Sequence, residues 1–96
     1  MTKTVLITGC SSGIGHATAE AFLEDEWSVW ATARDPETIT ALAEQGCQTA
    51  ALDVTNAREC EGVVEDIIDA DGRIDCLVNN AGYAQYGPME DVPTAA

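Results

Sequence analysis

Short apolar runs alternate with longer amphipathic stretches along this chain, and that alternation sets the expected architecture. Val5-Leu6-Ile7 lies inside a strand expected from Thr4 to Thr8. From Gly13 to about Glu26, apolar residues recur at Ile14, Ala17, Thr18, Ala21 and Phe22, the spacing of a half-buried helix. Ser28 to Ala33 reads as a second strand. Asp35-Pro36 opens a second helix, with Asp at the N-cap and Pro at the first helical position. Ile39, Leu42 and Ala43 form its face, and Gly46 stops it as a C-cap glycine. A third strand covers about Gln48 to Leu52. Thr55 is then expected to cap a third helix whose face is Cys60, Val63, Val64, Ile67 and Ile68. Asp71-Gly72 breaks that helix, and Ile74 to Asn79 is the fourth strand. From Ala81 onward Gly, Pro and polar residues read as loop, with a helix entered near Thr94.

Strands joined through helices by short connections imply a parallel sheet with right-handed crossovers. The expected fold is α/β, a partial Rossmann-type doubly wound parallel sheet in strand order 3-2-1-4, forming a single incomplete domain. In such a sheet the ligand crevice opens at the carboxyl ends of the strands flanking the switch point, here the first and fourth. Thr8-Gly9-Cys10-Ser11-Ser12-Gly13-Ile14-Gly15 follows the first strand, and Asn79-Asn80-Ala81-Gly82 follows the fourth. A glycine-rich turn running into a helix start gathers backbone N–H groups around a volume that suits a phosphate. Gly9 permits a tight strand exit, Gly13 lets the backbone approach a pyrophosphate, and Gly15 lets the helix pack closely on the sheet.

Composition narrows the reading. The 96 residues carry 17 acids against four bases, a net charge of −13, and the only lysine is Lys3. That balance argues against a nucleic-acid partner, which needs basic surface, and against an anionic membrane surface. Near-absence of lysine with acids on helix exteriors suits a high-salt cytoplasm, where such a surface is screened; an acidic domain from an ordinary cytoplasm has the same composition. The N-terminus shows no secretory pattern, so a cytoplasmic location is expected. Cys10, Cys47, Cys60 and Cys76 form no C-x-x-C pair and read as small hydrophobes in a reducing compartment. His16 projects from the first helical turn and reads as a solvated residue.

Three motifs in order, each at an expected strand end, resemble the classical branch of the short-chain dehydrogenase/reductase family. They are Thr8-Gly9-x-x-x-Gly13-Ile14-Gly15, Asp53-Val54, and Asn79-Asn80-Ala81-Gly82. The resemblance runs along the whole chain but covers only the first part of a family member. It implies a nicotinamide dinucleotide held by Gly9, Ser11, Ser12, Gly13, Ile14 and Gly15, with Ser11 and Ser12 open to either a phosphate-binding or a plain loop role. Asp53 would accept the adenine amino group beside the Val54 backbone, and Asn80, Ala81 and Gly82 would line the crevice. Asn79 would tie the fourth strand to its neighbour.

The end of the second strand selects the dinucleotide. A carboxylate there suits the ribose hydroxyls of NAD and repels the 2′-phosphate of NADP. This chain has Ala33-Arg34-Asp35-Pro36, and Pro36 commits Asp35 to capping, so Arg34 resembles the NADP-preferring pattern. NADP is therefore expected ahead of NAD. The family's catalytic Asn, Ser and Tyr-x-x-x-Lys are expected beyond Ala96, because neither Tyr83 nor Tyr86 has Lys four residues on. Alone, a sheet ending at the fourth strand is expected to be marginally stable or self-associating. The implied activity is hydride transfer between NADP(H) and a small-molecule alcohol or carbonyl, with a homo-oligomer left open. A non-enzymatic dinucleotide-binding module and an inert fragment are the alternatives.

Overall fold

The computed structural model describes residues 2–80; the expected loop from Ala81 and the helix entry at Thr94 lie outside them. The chain runs β1 (Thr4–Ile7), α1 (Gly13–Glu24), β2 (Ser28–Ala33), a 3₁₀ turn (Pro36–Ile39) leading into α2 (Thr40–Gln45), β3 (Gln48–Ala51), α3 (Ala57–Asp71) and β4 (Cys76–Val78). All neighbouring strands pair in parallel, in the order β3-β2-β1-β4. Leu6 lies opposite Trp30 on one side and Leu77 on the other. The doubly wound sheet expected from the alternation is the one observed.

Strand alternation divides the core into two layers. Val5, Ile7, Val29, Ala31 and Ala33 pack with Ala19, Ile39 and Leu42 against α1 and α2. Leu6 and Trp30 turn to the other face, where Leu52, Val63 and Ile67 meet them under α3. The second layer is thinner. Ile68 and Leu77 stay 45% and 48% exposed, and Val64 is exposed as well. Only Val63 and Ile67 of the five-residue face expected for α3 are fully buried, with Cys60 half-buried.

The buried face of α1 departs from expectation by about one residue. Gly15 and Ala19 are its buried positions, with Phe22 and Leu23 packed beside them; Ile14, Ala17 and Ala21 are exposed. The cause is Gly15. A Cβ there would collide with the Gly9 carbonyl oxygen and would stand 2.8 Å from Asn80 Nδ2 and 2.9 Å from Cys10 Cα. The helix therefore sets Gly15, which has no side chain, against the turn, and Ile14 swings outward to 70% exposure.

Two helix ends and three strand ends also differ from expectation. α1 stops at Glu24 rather than Glu26, because Glu26 adopts a left-handed φ of 65°. Glu26 N–H then donates to the Leu23 carbonyl at 2.9 Å and Trp27 N–H to that of Phe22 at 3.1 Å, a Schellman ending. Phe22 and Trp27 seal it with an edge-to-face contact at 4.8 Å. At α3 the N-cap is Asn56, not Thr55: its side chain accepts from the N–H groups of Arg58 at 3.0 Å and Glu59 at 3.2 Å. The strand ends expected at Thr8, Leu52 and Asn79 also shorten, to Ile7, Ala51 and Val78.

Asp71, expected only to help break α3, ties the amino ends of the strands together. One carboxylate oxygen accepts from Ser28 Oγ at 2.6 Å, Trp30 Nε1 at 3.1 Å and Thr4 Oγ1 at 3.1 Å. The Ser28 bond foremost holds this carboxyl below its ordinary range, against partial burial, with Trp30 and Thr4 adding to it.

Two predictions follow from these ends. A carboxyl whose folded pKa is depressed contributes stability above its unfolded value and loses it as pH falls through the folded value. Asp71→Ala should therefore lower stability at neutral pH by roughly 1 kcal/mol, discounted for a half-exposed group. The gap should close as pH drops below about 4, the usual carboxylate range; thermal melts across pH measure it. Glu26→Gly removes the Cβ from a left-handed position and should raise stability by about 0.5–1 kcal/mol, read by denaturant melts.

Candidate functional site

The carboxyl ends of β1 and β4 meet at the glycine turn. Thr8 continues β1 by donating its N–H to the Val78 carbonyl at 3.0 Å, and Cys10 N–H reaches the Thr32 carbonyl at 2.9 Å. Between them Gly9 turns the chain at a φ of 67°, a conformation glycine adopts without a Cβ penalty. The Gly9 carbonyl oxygen then receives Ser12 N–H at 3.2 Å, Ser12 Oγ–H at 3.0 Å and Asn80 Nδ2 at 3.2 Å.

Ser12 is the N-cap of α1. Its Oγ accepts from Gly15 N–H at 3.0 Å and from Asn80 Nδ2 at 2.9 Å, while its carbonyl takes His16 N–H at 2.9 Å. With its one hydroxyl hydrogen on Gly9, Ser12 shapes the turn; Ser11 remains an exposed hydroxyl on it. The first amides of a helix lack intrahelical acceptors. Ser12 takes those of Gly15 and His16, so Gly13 and Ile14 keep the N–H groups available to an anion, at the positive end of the helix dipole. A Cβ built on Gly13 would meet no atom within 4 Å, so its Cβ side is open.

The fourth-strand motif braces this turn. Thr8 Oγ1 donates to Asn79 Oδ1 at 3.0 Å and accepts Asn80 N–H at 2.9 Å. Asn79 thus ties β4 to its neighbour, as expected. Asn80, expected only to line the crevice, is bonded to the turn itself. Ala81 and Gly82 lie outside the described residues. Thr8 opened the motif in the sequence, but the bracing role of its hydroxyl was not read there.

Arg34 and Asp53 stand beyond the carboxyl ends of β2 and β3. Arg34 is exposed. Asp35 Oδ1 accepts Glu37 N–H at 3.1 Å and so caps the following turn, with Pro36 at its first position. Asp53 Oδ1 accepts from Thr55 Oγ1 at 2.7 Å and from Thr55 N–H at 3.0 Å. These bonds hold the Asp53 carboxyl below its ordinary range, and the Arg34 charge adds a smaller pull. Val54, beside Asp53, is half-buried against the α3 layer.

Other candidates carry no comparable arrangement. His16 is half-buried and meets Glu20 at 3.2 Å one turn along α1. Burial pushes the Cys10 and Cys47 thiols up to about 11, so both stay protonated. Among the described residues no group of three His, Cys, Asp or Glu side chains could hold a metal ion, and no helix is long and apolar enough to cross a membrane.

Comparison with known proteins agrees with this geometry. A family model described as short chain dehydrogenase matches residues 3–96. Sulfoacetaldehyde reductase 2 of Chromohalobacter salexigens is 41% identical over 101 residues, covering 99% of this chain and 40% of the relative. Oxidoreductase BOA17 of Botryotinia fuckeliana is 44% identical, covering 96% of this chain and 35% of its own length. Among solved structures, a short-chain dehydrogenase from Streptomyces avermitilis superposes with a TM-score of 0.80 at 39% identity, over 85% of this chain and 31% of that one. A 3-ketoacyl-(acyl-carrier-protein) reductase from Brucella melitensis, complexed with NADH, gives 0.74 at 29% identity, over 79% and 32%. The chain thus spans well under half the length of these relatives. With its glycine turn, its Asn79-Asn80 brace and this match along nearly its full length, the chain belongs to the short-chain dehydrogenase family.

Proposed function

We propose that this chain is the NADP(H)-binding portion of a short-chain oxidoreductase that moves hydride between the cofactor and a small alcohol or carbonyl compound. The observation that carries the reading is the pair of amides, Gly13 and Ile14, without an acceptor among the described residues at the switch point of the sheet. A diphosphate suits that spot, since an anion at a helix N-terminus gains both hydrogen bonds and dipole energy. When bound, the nicotinamide supplies the hydride chemistry; the residues described here bind and orient it.

Preference for NADP rests on Arg34. A guanidinium pairs with a phosphate through two N–H groups in a fixed fork. The one acid next to it in sequence, Asp35, accepts the Glu37 N–H and caps the following turn. Named relatives are reductases and dehydrogenases, and solved neighbours include one complexed with NADH and one described as NADPH dependent, which supports a nicotinamide dinucleotide of either kind. The acid excess and the free thiols support a reducing, salt-rich cytoplasm as the setting.

The test is calorimetric titration of the chain with NADPH and NADH, in dilute buffer and in about 2 M KCl, where charges are screened within a few ångströms. NADPH should bind more tightly, and Arg34→Asp should reverse the preference by about ten- to a hundredfold. Equal weakening of both nucleotides would remove the role of Arg34, and no binding of either would remove the cofactor reading.

A further inference from the structure

α3 is held to the sheet by a narrow row of side chains. Val63 and Ile67 are its buried residues, and they meet Leu6, Trp30 and Leu52. Val64 and Ile68 beside them remain on the surface. The other layer is fuller, with Val5, Ile7, Val29, Ile39 and Leu42 buried almost completely beneath α1 and α2.

The helix is also weak in itself, for two separate reasons. Gly62 sits within it, where glycine disfavours helix about fivefold relative to alanine. A Cβ there would meet no atom within 4 Å, so no close packing requires the glycine. The second reason is charge. α3 carries six acids against the single base Arg58, whereas α1, the 3₁₀ turn and α2 together carry four acids. Glu61, Glu65 and Asp69 are exposed and spaced four apart, and the last turn has acids but no base at the negative end of the helix dipole.

The reach of this repulsion depends on salt. The screening length falls from about 30 Å at 0.01 M to about 3 Å at 1 M. The 15 residues of α3 extend about 22 Å. In dilute salt all of its acids therefore repel one another, and in concentrated salt each acts alone. The carboxylates that tether its ends, Glu59 to the Asp53 N–H and Asp71 to Thr4, Ser28 and Trp30, sit at hydrogen-bond range, where salt screens little.

We propose that α3 is a salt-responsive element that docks on the sheet in concentrated salt and loosens in dilute salt while the α1 and α2 layer stays closed. Loosening uncovers Trp30 and breaks the bond from its Nε1 to Asp71. The other tryptophan, Trp27, packs on the opposite layer against Phe22, so the two indoles report on different layers. The proposal stands apart from the cofactor reading and needs no bound nucleotide.

The experiment measures amide hydrogen exchange of the chain in 0.01 M and 1 M KCl, read separately for α1 and α3. In a Trp27→Phe variant, quenching of Trp30 fluorescence by acrylamide, a neutral quencher, reports the exposure of the α3 layer. Concentrated salt should raise protection in α3 by about tenfold, the combined weight of two like-charge pairs and the dipole. Protection in α1 should change little, and Trp30 should become less accessible. Replacing Glu61→Gln, Glu65→Gln and Asp69→Asn together should abolish the response of α3. Gly62→Ala should raise α3 protection about fivefold at both salt concentrations and leave their ratio unchanged. Choline chloride at equal ionic strength should act as KCl does. Equal gains in α1 and α3, no gain in α3, or a full response in the triple variant overturns the proposal. A response to KCl alone overturns it too, because it marks bound potassium rather than screening.

Discussion

The carbonyl oxygen of Gly9 is the point on which the site is built. It accepts two donors from Ser12 and one from Asn80, although a carbonyl has only two lone pairs, so the three share it. Through it the exit of β1, the start of α1 and the exit of β4 are held as one unit. That convergence is possible only because Gly15 presents no Cβ to the same oxygen. A methyl group at Gly15 would push α1 off the turn, releasing Ser12 from its cap and Asn80 from both its acceptors. The amides of Gly13 and Ile14 would then lose their common direction. The common direction of the two amides therefore depends on a steric vacancy at the next residue, with hydrogen bonds fixing what the vacancy allows.

Local signals in the sequence carried the frame of the fold because each has a nearby physical cause. Gly46 and Gly72 end helices in left-handed geometry, and Asp35-Pro36 starts a turn, all within a few residues. The face of α1 was harder to read. Ile14, Ala17 and Ala21 have the right spacing, yet periodicity counts Gly15 as neutral when it is the most tightly packed position on the helix. Thr55 and Asn56 are both good capping residues. Choosing between them requires knowing that Thr55 is already engaged with Asp53. Asp71 was illegible for a different reason: its partners Thr4, Ser28 and Trp30 lie 41 to 67 residues away along the chain. Polar contacts at that separation leave no pattern in a single sequence.

The two faces of the sheet are closed to different degrees. The α1 and α2 layer seals Val5, Ile7, Val29, Ile39 and Leu42 almost completely. On the α3 side, Val64, Ile68 and Leu77 stay on the surface, and Leu77 faces that layer by its register with Leu6. α3 also carries Glu59, Glu61, Glu65, Asp66, Asp69 and Asp71 against the single base Arg58. Glu61, Glu65 and Asp69 are spaced four apart, where like charges repel, and the last turn places acids at the negative end of the helix dipole. The layer with the least apolar burial is thus also the one with the most unscreened charge, and added salt acts on it first.

Polar groups are also bonded at both ends of the strands, though to different ends. At the amino ends the carboxylates are met from within: Asp71 by Ser28, Trp30 and Thr4, and Asp75 by the Thr4 amide at 2.8 Å and the Arg73 guanidinium. At the carboxyl ends the turn is just as heavily bonded, but its bonds are arranged to leave groups over. Ser12 spends its hydroxyl on Gly9 and leaves the amides of Gly13 and Ile14; Thr55 fills Asp53 Oδ1 and leaves Oδ2. Two amide donors after β1 and one carboxylate oxygen after β3 are left without a partner among the described residues, and Arg34 after β2 is exposed. A folded chain satisfies its polar groups wherever it can. These groups lie on exposed or half-exposed residues that water can satisfy, so what the rigid, well-bonded elements contribute is fixed direction: donors after β1 and an acceptor after β3, all at the carboxyl ends of one sheet.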